Sequence, residues 1–154
     1  VGRMWPLHAG YDAIDRAGAY NIIHTILFKS PVAASGPGII DTIMAYFYVA
    51  GVNVKVGFFY EDGGVGHYTC RSQILIPAIP AGSLFTLPGQ SLAVEEGDLI
   101  GFVGASGSMD YASTGSVGFW VTPGDTFDVA EQLYNDSGAS LIEFSLKATG
   151  IASA

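Results

Sequence analysis

The stretch Val94-Glu95-Glu96-Gly97-Asp98-Leu99-Ile100-Gly101-Phe102-Val103 constrains the fold most: a turn rich in acid and glycine runs straight into a short run of large residues. The same grammar recurs along the chain. β-rich runs of about five to nine residues alternate with Gly/Pro/Asp/Ser turns, and no long amphipathic helical period interrupts them. Such a chain must bury short pleated segments against one another, which predicts an all-β domain. At 154 residues it is long enough to enclose a two-sheet core without cross-links.

Residues 1–18 mix Trp5, Pro6, His8 and Gly10 with no period and read as an irregular N-terminal arm, leaving 19–154 as one domain. Ala19 to Phe28 reads as the first strand, with Tyr20, Ile22, His24, Ile26 and Phe28 on one face. Its other face, Asn21, Ile23, Thr25 and Leu27, also carries apolar residues, so cover on both sides is expected. Ile39 to Val49 follows and breaks at Gly51; Asn53 to Tyr60 is the cleanest alternation, with Val54, Val56 and Phe58 facing in. Further strands are expected at Tyr68 to Ile76, Ser83 to Leu87, Ser91 to Val94, Leu99 to Val103, Val117 to Val121 and Leu141 to Ala148. A loop is expected from Gly104 to about Gly115, and Ala130-Glu131-Gln132-Leu133 could close a helical turn. About eight to ten strands at this spacing predict an antiparallel two-sheet β-sandwich of the jelly-roll type.

Charge narrows the partners. The net charge is −8, and the six basic residues Arg3, Arg16, Lys29, Lys55, Arg71 and Lys147 are dispersed. Phosphate-backbone binding needs clustered cations, so no nucleic-acid partner is expected. The uncharged stretch from Ser72 to Val94 carries Pro77, Pro80 and Pro88 and cannot be a membrane helix, so no membrane insertion is expected. Charged residues make up only 13% of the chain, roughly half the usual share of about 25%. Part of the surface is therefore expected to be covered by copies of the same chain, or else to be uncharged and rich in Gly, Ser and Thr. Cys70 stands alone and reads as an inert, partly buried thiol on a strand.

Catalytic signatures are missing. His8, His24 and His67 share no metal-ligand spacing, and His24 reads as a hydrogen-bonded core histidine. Gly-x-Ser-x-Gly is absent, and Gly104-Ala105-Ser106-Gly107-Ser108 lacks the Lys and following helix of a phosphate loop. Glu61, Asp62, Glu95, Glu96, Asp98 and Asp110 fall in expected turns, where a jelly roll can gather oxygens for calcium. The ordinary role of turn acids is to bind local amides, so neither metal nor cofactor is expected.

Aromatics carry more. Tyr46, Tyr48, Phe59, Tyr111 and Trp120 are candidates for glycan or interface contacts, with Tyr111 expected to be the most exposed. Met4, Trp5, Leu7 and Tyr11 in the leading segment are candidates for an assembly arm, since apolar residues in an aperiodic terminus need a surface to pack on. Asn135-Asp136-Ser137 matches the N-glycosylation pattern at Asn135.

One ordered set of motifs carries a resemblance. Gly10…Ala13-Ile14-Asp15-Arg16, Ala34-Ser35-Gly36…Ile39, Val54-Lys55-Val56-Gly57-Phe58-Phe59-Tyr60, Tyr68-Thr69-Cys70-Arg71, Ala81-Gly82-Ser83 and Gly97-Asp98-Leu99-Ile100-Gly101 span most of the chain. The chain resembles a group of jelly-roll-like β-sandwich domains in environmental bacterial, archaeal and phage surface proteins. The resemblance implies an extracellular or particle-surface module and supplies no catalytic residue. Together these readings lead to the expectation of a non-enzymatic structural subunit of a self-associating surface assembly, such as an extracellular filament or a virion or tail component. A carbohydrate-binding or adhesive surface module is the alternative.

Overall fold

A computed structural model describes residues 4–29, 37–113, 118–137 and 142–153. Among them the fold is all-β. The strands are β1 (Met4–Gly10), β2 (Gly18–Asn21), β3 (Thr25–Phe28), β4 (Gly38–Glu61), β5 (His67–Ile79), β6 (Leu84–Leu87) and β7 (Leu92–Val94). They continue as β8 (Leu99–Val103), β9 (Ser106–Ala112), β10 (Phe119–Thr122), β11 (Gln132–Leu133), β12 (Asn135–Asp136), β13 (Glu143–Phe144) and β14 (Leu146–Ser153). Every strand pair is antiparallel; one isolated parallel bridge joins Phe47 to Ala81.

The pairing falls into two blocks that share β4. In the first, β1 pairs with β14, β14 with the leading half of β4, and that half with β6 and β7. In the second, the trailing half of β4 pairs with β5 and β8, and β8 continues through β3 and β10 to β12. The middle of β4 also pairs with β9, which carries β2 and β13. Gly51 does not end the strand as its position suggested. A Cβ there would lie 2.8 Å from Phe47 and Val54 side-chain atoms, so glycine lets the strand bend tightly onto its own core. Gly107 serves the same crossing from β9: its φ is +117°, and a Cβ would sit 2.6 Å from the Ala50 carbonyl oxygen.

The main core draws on both blocks: Leu7, Ile40, Ile43 and Ala148 from the first meet Phe28, Val56, Phe58, Phe102 and Phe144 from the second. This shared core is what a two-layer architecture needs. A second, smaller cluster lies on the opposite face of the second block, where Phe127 and Tyr134 cover Leu27, Phe59, Leu99 and Val103. β3 is accordingly buried at every residue, as its two apolar faces predicted.

Three segments differ from expectation. The leading segment is not irregular. Its residues 4–10 form an edge strand along β14, with Leu7 and Ala9 buried and Pro6 and His8 exposed. Pro6 and the small Ala9 and Gly10 hid that period-two pattern. The expected loop after Gly104 is largely β9, because Gly107 admits the strand crossing. Residues 130–133 form no helix; Glu131 has φ +52° and Gln132–Leu133 pairs with β5. Ala19 to Phe28 is also divided, with a turn between β2 and β3 at Ile22-Ile23-His24. Ala34-Ser35-Gly36 lies outside the described residues.

Candidate functional site

Beside the bend of β4, a groove of about 320 Å³ is lined by Asp15, Tyr46, Phe47, Tyr48, Ala81, Gly82 and Asp110. Its walls follow from the pairing. β4 shifts register against β9 between Phe47 and Val49, so Tyr48 falls in an irregularity of the ladder. Bulges of this kind re-aim side chains and are common beside functional sites. Tyr48 is 67% exposed, the most exposed aromatic ring described. On the other wall the Phe47 carbonyl accepts the Gly82 N–H at 2.9 Å. A Cβ on Gly82 would meet nothing within 4 Å, so this wall leaves open space.

Asp110 stands on β9 in the depth of this groove, only 1% exposed. Its Oδ2 accepts the Arg16 N–H at 2.9 Å. Oδ1 is buried, and with both carboxyls ionised no described group donates to it. Burial pushes the Asp110 carboxyl above its ordinary value and the adjacent Asp15 carboxyl adds to the rise, while the Arg16 amide and charge oppose it. Asp15 is held there by its neighbour. The Arg16 guanidinium donates to Ser145 Oγ at 2.9 Å, Glu143 Oε2 at 3.1 Å and the Asp12 carbonyl at 2.9 Å, and Ser145 Oγ donates to the Ile14 carbonyl at 2.7 Å. The motif Ala13-Ile14-Asp15-Arg16 thus staples a loop against β13 and β9 and presents Asp15 to Asp110.

The other candidates fall elsewhere. Tyr46 and Tyr48 share the groove. Phe59 is fully buried in the second cluster and cannot make a surface contact, because that face is covered by Phe127. Tyr111 is not an exposed loop ring: it is half-buried on β9, packed on Phe144 and lying over Gly18. Trp120 is half-buried against Tyr68, with the Lys29 ammonium 4.7 Å from its ring centroid. Leu7 is buried in the protein's own core, and Tyr11 packs on Phe28 at 5.6 Å between centroids, so both serve their own domain rather than a free arm. Met4 and Trp5 contribute backbone to β1; their side chains lie outside the described residues, as do Ser35 and Gly115. Asn135 is exposed on β12.

Two of the turn acids, Asp98 and Asp62, have local partners. Asp98 receives two bonds from Arg71, at 2.7 and 3.1 Å, and accepts the Glu95 N–H at 2.9 Å. Arg71 also lies 4.6 Å above the Tyr60 ring, so two of the resembling motifs meet through one bidentate pair. Asp62 accepts from Thr69. Among the described residues no group of three or more His, Cys, Asp and Glu side chains could hold a metal ion. His24 is half-buried with Nδ1 unpartnered, which corrects the hydrogen-bonded core histidine expected from its parity. Burial pushes the Cys70 thiol up to about 11, and the thiol donates to the Ser72 carbonyl at 3.2 Å. No described helix is long and apolar enough to cross a membrane.

Tyr46 and Tyr48 stood out in the sequence, whereas the meeting of Asp15 with Asp110 did not. A signal was present: Asp12, Asp15 and Arg16 crowd one short segment of an otherwise charge-poor chain. Comparison with protein families, curated proteins and solved structures finds no match for this chain.

Proposed function

We propose that this protein is a non-enzymatic β-module, a jelly-roll-like sandwich, that self-associates as the subunit of an extracellular or particle-surface assembly. One observation carries the reading. The register places Pro6, Ile151, Ile39 and Ala93 side by side across four strands of the first block, all outward and all uncharged. Ile39 and Ile151 are 44% and 43% exposed. Chains carrying −8 repel one another, so copies meet most readily through a face that brings no acids together. Light scattering at micromolar concentration is expected to show an oligomer, and Ile151→Glu to shift it toward monomer while the melting temperature holds. A wild-type chain that stays monomeric across that range overturns the reading.

A second reading, a carbohydrate-binding or adhesive module, is favoured by a different observation: the exposed Tyr48 ring at a groove containing a buried acceptor without a donor.

A further inference from the structure

The groove holds two features that the chain itself leaves unused. A buried carboxylate oxygen without a donor is destabilising, and a hydrogen-bonding ligand removes that cost. Asp110, one of the residues lining the open groove, carries such an atom in Oδ1. Tyr46 and Tyr48 lie two residues apart on one strand, which sets them roughly 7 Å from each other along it. Tyr48 presents a largely uncovered ring to solvent.

A ligand that answers both features needs a hydroxyl or amine to donate inward and a flat apolar face to lie against an aromatic ring. Anionic ligands are disfavoured by the two carboxyls. The groove, about 320 Å³, is at the small end of ligand clefts, which run from about 300 to 1,000 Å³. A bare cation offers no apolar face to the Tyr48 ring, whereas a sugar ring offers both a C–H face and hydroxyl donors. We propose that this groove binds a neutral saccharide ring, with hydroxyls bonding the Asp15 and Asp110 carboxyls and the C–H face of the ring on Tyr48. The inference rests on the second reading above and supplies its site and ligand class.

The test is an NMR titration of the isotope-labelled full chain with maltose, cellobiose, lactose and chitobiose. Each is taken to about 20 mM, enough to detect dissociation constants of about 1–5 mM. At least one sugar is expected to give saturable shifts at the Tyr48, Gly82 and Asp110 amides. Tyr48→Ala, a surface change that should leave the melting temperature intact, is expected to weaken that binding at least about fivefold. Asp110→Asn keeps an acceptor for the Arg16 amide and is expected to weaken it as well. Methylammonium and calcium chloride form the cation arms; saturation there without any sugar response overturns the proposal in favour of a cation site. Sugar binding that Tyr48→Ala leaves unchanged overturns the groove assignment but not the carbohydrate reading. If no sugar shifts the groove amides, the proposal is likewise overturned, and a glycan array then decides whether the broader reading falls with it.

Discussion

The two blocks that share β4 solve the same problem differently. The second block is covered on both faces, by the main core and by the segment carrying Phe127 and Tyr134, and its rims are tied by charge. Lys55 bridges Asp125 at 2.7 Å and Asp128 at 3.5 Å, Lys29 pairs with Asp136, and Arg71 grips Asp98. The first block has one covered face and one bare one, and its only described ion pair is the exposed Lys147–Asp12 contact. One half of the molecule thus has its ionic contacts satisfied internally, while the other offers an outward row of uncharged side chains at Pro6, Ile151, Ile39 and Ala93. That contrast is what the proposed self-association rests on, since a docking face must shed water without stranding charge.

The largest effects should come from the adjacent residues Phe58 and Phe59, which point to opposite faces of the second block and are both fully buried. Phe58→Ala is expected to cost about 4–5 kcal/mol, because the main core is walled by paired strands and cannot collapse. Phe59→Ala should cost nearer 3 kcal/mol, because the segment over it can settle into part of the void. Chemical denaturation checks both. Equal losses would mean that the covering segment is as rigid as the sheets.

The ionic contrast comes next. Arg71→Ala strands the buried Asp98 carboxylate and is expected to cost about 2–3 kcal/mol. Lys147→Ala, on the first block, should change stability by less than about 0.5 kcal/mol. A matching loss at Lys147 would break the comparison.

The acid pair gives a smaller effect with a definite sign. Asp110 titrates above its ordinary 3.8, so the folded state holds its proton to higher pH than the unfolded chain does. Its contribution therefore disfavours folding increasingly as pH rises through that window, and is absent below it. Asp110→Asn should melt higher than wild type at neutral pH, with the gap closing toward pH 3.8. A gap that widens on acidification would reverse the assignment. Smallest of all, with no described metal cluster, chelator is expected to shift the melting temperature by no more than about a degree.

Several of these features were written in the chain and several were not. Strands such as Leu99 to Val103, the inward Val54, Val56 and Phe58, and the double cover of Thr25 to Phe28 were legible, because side-chain direction in a strand depends only on local parity. The edge strand at Met4–Gly10 was obscured, because a proline and small residues blur the alternation even where β14 supplies every partner. The unbroken run of β4 was hidden for a related reason: whether glycine ends a strand or bends it depends on what packs against it.

The all-β class and the scarcity of charge follow from the sequence alone, since they depend on composition and on neighbours along the chain. Packing of the whole chain brings Asp15 to Asp110, leaves Tyr48 uncovered while covering Phe59 and Tyr111, and aligns Pro6, Ile39, Ala93 and Ile151 in one bare row. Those are matters of register between strands far apart in sequence, and parity along a strand leaves register undetermined.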